Sequence, residues 1–137
     1  MSVQLPKRNR FLVDFHIFNK WLSLKQRGLS LSTYFIDNDI KTIAIYAIGS
    51  MGERLFNELK DSPIQVLYAI DRDTEKKSFH ELPLYNLTTS ALPKADVIVA
   101  TVASAYWEIT EDLKKLTDLP VLSIEDIVQY CYDHYTE

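Results

Sequence analysis

Three short apolar runs, Thr42–Ile48 (TIAIYAI), Ile64–Ile70 (IQVLYAI) and Asp96–Thr101 (DVIVAT), constrain this 137-residue chain more than any other feature. They are nearly continuous and rich in β-branched residues, the pattern of strands covered on both faces. Helical segments alternate with them. Glu53–Lys60 sets Leu55, Phe56 and Leu59 on one face, and Tyr106–Leu116 carries Tyr106, Ile109, Leu113 and Leu116 on one stripe. Short strands are expected at Leu82–Tyr85 and Pro120–Leu122. Ser123 with Asp126 resembles a capping box opening a last helix through Ile127, Val128 and Cys131. Such alternation implies right-handed crossovers and an α/β, three-layer fold on a parallel sheet. The expected strand order is 3-2-1-4-5, with its switch point between the strands ending at Ile48 and Thr101.

A helical extension precedes the sheet. Phe11, Phe15, Phe18, Trp21 and Leu22 recur at spacings of three and four, with Asp14 placed to cap the start and Gly28 to end the helix. A second short helix is expected from Ser30, with Leu31, Tyr34 and Phe35 apolar and Asn38 as its stop. The chain therefore divides into an extension over 1–40 and a sheet domain over 41–137. The aromatic stripe is too apolar to leave in water, so a homodimer packed through these helices is expected, ahead of docking within the chain. Its basic, aromatic character also permits contact with an anionic membrane surface.

Composition narrows the function classes. Cys131 is the only cysteine, which excludes an internal disulfide and a Cys-rich zinc site and points to a reducing compartment. The longest uncharged apolar run, Val97–Trp107, has 11 residues, short of the ~18 that suggest a membrane span. With no apolar leader core at its start, the chain reads as cytoplasmic. Residues 1–30 carry six basic side chains against Asp14 alone, whereas residues 31–137 carry nine basic and eighteen acidic. So acidic a body argues against nucleic acid as a partner, since phosphate backbones need a field of Lys and Arg.

The chemistry lies after the first strand, in Ala47-Ile48-Gly49-Ser50-Met51-Gly52. This is the dinucleotide-binding pattern G-x-G-x-x-G with alanine at its first position, set between a strand and a helix as that pattern requires. Gly49 would let the backbone approach a pyrophosphate, Gly52 would allow close packing of helix on strand, and the helix-start N–H groups of Ser50 and Met51 would hold the anion. Asp71 follows Gly49 by 22 positions, directly after the second strand. A carboxylate there accepts from an adenosine ribose and favours NAD over NADP, although Arg72 beside it can compensate an added phosphate. Thr101, Val102, Ala103 and Ser104 would line the crevice opposite Gly49, and Tyr106 and Trp107 are placed either to close over a base or sugar or to join the core. The lesser alternative is a packing turn in a Rossmann scaffold without a ligand.

Catalytic signatures are absent. No Tyr is followed four residues later by Lys, and there is no G-K-[ST] loop, C-x-x-C or H-E-x-x-H. His16, His80 and His134 lie far apart, and no metal site is expected. The catalytic residues thus stay unassigned, and the isolated chain is expected to turn over little by itself. Were it an enzyme, Tyr106, Thr101 and His80 would be the first residues to test.

The run from Ile43 to Asp73, IAIYAIGSMGERLFNELKDSPIQVLYAIDRD, resembles the small Rossmann domains encoded in bacterial surface-polysaccharide loci. Such domains stand alone, accompany glycosyltransferases, or form the nucleotide-sugar-binding part of sugar acyltransferases. Members commonly read I-Y-G-x-G-x-x-G, from which Ala47 departs. The lead-in FNKWLSLKQRGLSLSTYF is similar to that of the glycosyltransferase-associated members, and the likeness covers about residues 18–128. It implies a domain that binds NAD(H) or a nucleotide-sugar and serves carbohydrate or polysaccharide biosynthesis, with a glycosyltransferase as a candidate partner. Two alternatives remain open: a module sensing NAD(H) or a nucleotide for a partner protein, and an NAD-dependent nucleotide-sugar oxidoreductase or epimerase-like enzyme. Fold likeness alone decides among none of them.

Overall fold

The apolar runs become the inner strands of a parallel sheet in a computed structural model that describes residues 8–76 and 78–135, the side chain of Tyr135 excepted. Lys7 of the basic lead-in lies outside the described residues. The strands are β1 (Thr42–Tyr46), β2 (Gln65–Ile70), β3 (Leu84–Tyr85), β4 (Val97–Ala100) and β5 (Val121–Ser123). The helices are α1 (Arg10–Gln26), α2 (Ser32–Asp37), α3 (Ser50–Leu59), α4 (Tyr106–Leu113, entered through a 3₁₀ turn over Ala103–Ala105) and α5 (Ile124–Tyr135). All pairings are parallel and the order is β3-β2-β1-β4-β5, as expected from the sequence.

Strand periodicity sorts the core into two layers. Ile43, Ile45, Val97 and Val99 face α1, α2, α3 and α5, while Ala44, Tyr46, Ile98 and Ala100 face Ile109 and Leu113 of α4. In β2 an extra residue, Leu67, separates the partners of Ile43 and Ala44, a bulge that keeps Tyr68 and Ile70 on the α4 side. Among the described residues no helix joins β2 to β3. The connection instead carries a tight turn at His80 and Glu81, both left-handed at φ 52° and 63°, closed by the bridge between Phe79 and Leu82.

The extension differs in detail from its sequence pattern. Asn9 caps α1, its Oδ1 accepting the Leu12 N–H at 3.0 Å, and Asp14 lies a turn inside the helix. A cap must stand outside the first turn, a position that Asn9 holds. At the other end Gly28, at φ 76°, closes a Schellman motif in which the Leu29 N–H donates to the Leu24 carbonyl at 2.9 Å.

α1 carries two apolar stripes rather than one. Val13, Ile17, Trp21 and Leu24 are buried in the same core layer as α5, so the extension and the sheet share one core. The second stripe, Phe11, Phe15, Phe18 and Leu22, turns away: Phe11 is 86% exposed, Phe15 62% and Leu22 58%, and Phe18 is half-buried. Ion pairs tie the helix down at both ends, Arg8 to Glu125 at 2.6 Å and Lys25 to Glu58 at 2.8 Å. Cys131 is fully buried, and burial pushes its thiol up to about 11. Among the described residues no helix is long and apolar enough to cross a membrane.

Replacing Trp21 by alanine should therefore cost about 3–5 kcal/mol in urea unfolding. Measured on the monomer at high dilution, Phe15→Ala should stay within about 0.5 kcal/mol of wild type. Equal, small losses from the two would mean that α1 is not docked through its inner stripe.

Candidate functional site

β1 stops two residues before its apolar run ends because Ala47 turns the chain with φ 78°, a left-handed conformation that an alanine adopts only at a cost. The first position of the glycine pattern is thus one where glycine would be unstrained. The turn delivers Gly49, in extended conformation at φ −76° and ψ −157°, as the N-cap of α3. At Gly52 a Cβ would stand 2.2 Å from the Ala47 carbonyl oxygen, so only glycine lets α3 approach β1 this closely. At Gly49 a Cβ would meet no atom within 4 Å: this glycine faces open space.

The turn is pinned from two sides. Asp71, 7% exposed at the end of β2, accepts the Ile48 N–H on Oδ2 at 2.9 Å and the Asp73 N–H on Oδ1 at 2.8 Å. Lys76 Nζ lies 3.6 Å from the same Oδ2. Thr101, buried at the end of β4, lies with its Oγ1 2.9 Å from the Tyr46 carbonyl and 2.8 Å from that of Ala47, so its hydroxyl proton is held by the turn. The two residues that sequence reasoning placed beside a ligand therefore also hold the turn in shape. Each Asp71 oxygen keeps a further lone pair.

Over the turn, at the switch point of the sheet, lie two adjoining chambers of about 350 and 380 Å³. Arg10, Ala47, Gly49 and Val102 line both. The first extends between β2 and α4 past Tyr46, Asp71, Arg72, Lys76 and Ser104. The second runs beneath α1, between Phe11, Asp14 and Phe18 above and Ser50, Met51 and Thr101 below. The cluster expected from the sequence, Ala47, Gly49, Ser50, Met51, Asp71, Arg72 and Thr101, is brought together here, with Gly52 behind it as a packing residue. Ala103 is buried instead of lining either chamber.

Arg10, Lys76, Tyr46 and Asp14 were not among the expected site residues. Tyr46 alone had a usable signal, because alternation along β1 puts its side chain on the α4 side at the strand's last position. Its phenol is 2% exposed, its hydroxyl has no hydrogen-bond partner, and burial pushes its pKa up against the opposing pull of Arg72. Arg10 and Asp14 reach the site only because α1 docks.

Other candidates lie elsewhere. Tyr106 donates its hydroxyl to the Val121 carbonyl at 2.5 Å, and Trp107 is 73% exposed on the surface. His80 stacks on Phe56 with ring centres 4.0 Å apart, and its Nε2 meets Glu53 at 2.7 Å, away from both chambers. A larger groove of about 650 Å³ between α1 and α3 has Glu58 engaged by Lys25 and the Leu31 N–H and Asn57 by the Glu53 carbonyl, with Arg54 and Asp61 also lining it. Among the described residues no cluster of His, Cys, Asp or Glu is arranged to hold a metal ion.

Compared with known proteins, the chain matches no family model, no curated protein and no solved structure.

Two substitutions test the turn in opposite directions by thermal melting. Ala47→Gly should stabilise by about 1 kcal/mol, by removing the left-handed strain. Gly52→Ala should destabilise by about 1–3 kcal/mol, because α3 must back away from the Ala47 carbonyl. A Gly52→Ala variant as stable as wild type would be incompatible with the close approach.

Proposed function

We propose that this protein binds a nucleotide, NAD(H) or a nucleotide-sugar, with its diphosphate on the turn from Gly49 to Gly52. One observation carries the proposal: the start of α3 is uncapped and opens on a chamber flanked by cations. The first intrahelical bond is from the Glu53 N–H to the Gly49 carbonyl at 3.0 Å, and no side chain caps the preceding N–H groups. Such groups, with the helix dipole behind them, favour an anion. Gly49 lines one chamber with Arg10, Arg72 and Lys76 beside Asp71 and Asp73, while Ser50 and Met51 line the adjoining chamber, which shares Arg10. The spare lone pairs of Asp71 suit ribose hydroxyls, as in the resemblance noted above. That resemblance is also the support for a place in carbohydrate or surface-polysaccharide biosynthesis.

A thermal-shift panel of NAD(H), NADP(H) and UDP-, GDP- and dTDP-sugars tests this directly. A bound ligand at a hundred times its dissociation constant adds about 2.7 kcal/mol and raises the melting temperature. Gly49→Val should fold normally, since its side chain enters open space, and should lose the shift. If no member of the panel shifts the melt, or Gly49→Val responds like wild type, the proposal is wrong.

The outward stripe of α1 supports a companion proposal, pairing with a second copy through Phe15 and Leu22. Light scattering across a dilution series should give a dimer that Phe15→Glu splits. A wild-type monomer at every concentration would dismiss it.

A further inference from the structure

Among the described residues, two buried side-chain polar atoms lack a hydrogen-bond partner: Asp14 Oδ1 and the Tyr46 hydroxyl. Each belongs to a residue lining one of the two chambers over the glycine turn, Tyr46 the first and Asp14 the second. Unsatisfied buried polar atoms are rare, and where they border a cavity a ligand can supply the missing partner. The two residues line adjoining chambers that meet at Arg10, Ala47, Gly49 and Val102 over the glycine turn.

The two chambers differ in chemistry. The first chamber holds Arg72, Lys76 and two carboxylates around the phenol of Tyr46. The second has Asp14 as its carboxylate and the rings of Phe11 and Phe18 as apolar walls, with Arg10 at the waist shared by both. A carboxylate accepts hydrogen bonds only, so it selects groups rich in hydroxyl donors and repels a second anion. Phenyl rings offer apolar faces to the C–H side of a sugar ring. Arg10 pairs only loosely with the Asp14 carboxylate, its Nε 3.7 Å from Oδ2. Burial pushes the Asp14 carboxyl above its ordinary range, countered in part by Arg10.

We infer that the chamber beneath α1 is the glycosyl subsite of a nucleoside-diphosphate sugar, in which Asp14 accepts from sugar hydroxyls, Phe11 and Phe18 flank the ring, and Arg10 meets the diphosphate at the waist. The inference rests on the proposed nucleotide site and adds to it which half of the ligand lies where. It also gives the helical extension a part in the site: without α1 the second chamber has no roof.

The test is calorimetry on the full chain with UDP, GDP and dTDP, each as the free diphosphate and as its hexose conjugate, and with NAD. Wild type, Asp14→Ala and Asp14→Asn are compared. For one nucleotide the hexose conjugate should bind at least about tenfold more tightly than the free diphosphate. Asp14→Ala should erase that advantage and leave the free diphosphate within about twofold, while Asp14→Asn, which keeps an acceptor oxygen, should retain part of it. Asp14→Ala should also melt no lower than wild type, because it deletes a carboxyl that burial disfavours. A lower melting point would make Asp14 a structural residue and overturn the subsite. Equal binding of conjugate and diphosphate by wild type, or a uniform loss in Asp14→Ala, would remove the glycosyl assignment and leave the nucleotide site standing. Asp14-dependent binding confined to NAD would give the chamber to a nicotinamide and likewise overturn it. If nothing in the panel binds, both the site and its subsite fall together.

Discussion

The carbonyl group of Ala47 is the point on which the C-terminal edge of the sheet depends. Its oxygen lies 2.8 Å from the Thr101 hydroxyl, which ties β1 to β4, and it leaves room for α3 only because residue 52 has no side chain. The left-handed backbone at Ala47 aims the carbonyl this way and costs roughly 1–2 kcal/mol. Asp71 offsets that strain by holding the next N–H, on Ile48, from the β2 side. Three strands and one helix thus converge on a few backbone atoms, and the open face of Gly49 is what remains of the turn once those contacts are made.

The sheet was legible because its central strands are covered on both faces, so apolar runs report them without ambiguity. The glycine turn was legible for a different reason: Gly52 answers a steric demand that no other residue meets. The extension was harder, because α1 interleaves two apolar stripes that both obey spacings of three and four. Phe11, Phe15 and Phe18 are the bulkier set, yet Val13, Ile17 and Leu24, with Trp21, form the buried one. Which stripe is inner depends on α5, more than a hundred residues away, and no local pattern carries that information. The same holds for Arg10 and Asp14, whose approach to the turn follows from docking and not from any motif.

The charge asymmetry of the chain finds part of its explanation in the same docking. The basic lead-in lies on the acidic body, with Arg8 on Glu125, where the guanidinium holds the carboxyl below its ordinary range, and Lys25 on Glu58. The Arg8–Glu125 pair is largely exposed and contributes little to stability, about 0–1 kcal/mol, whereas the Glu58 carboxylate is buried, its side chain 5% exposed. The larger effect of the two pairs is to fix how α1 sits, since the apolar stripe alone is tolerant of sliding. Arg10, paired only loosely with Asp14 at 3.7 Å, is left pointing to the crevice.

Arg8 and Glu125 are separated by 117 positions, so α1 is made long before α5, the helix it packs against. At about 5–20 residues per second, α1 waits on the order of ten seconds for its partner. During that interval both of its apolar stripes are bare, and the glycine turn can form while the chamber above it cannot. A nascent or truncated chain ending before α5 would therefore present an anion-favouring turn with no roof, together with an uncovered aromatic helix of the kind that chaperones engage. Completion of the crevice therefore waits on α5, which must be released and docked on α1 before the roof is held.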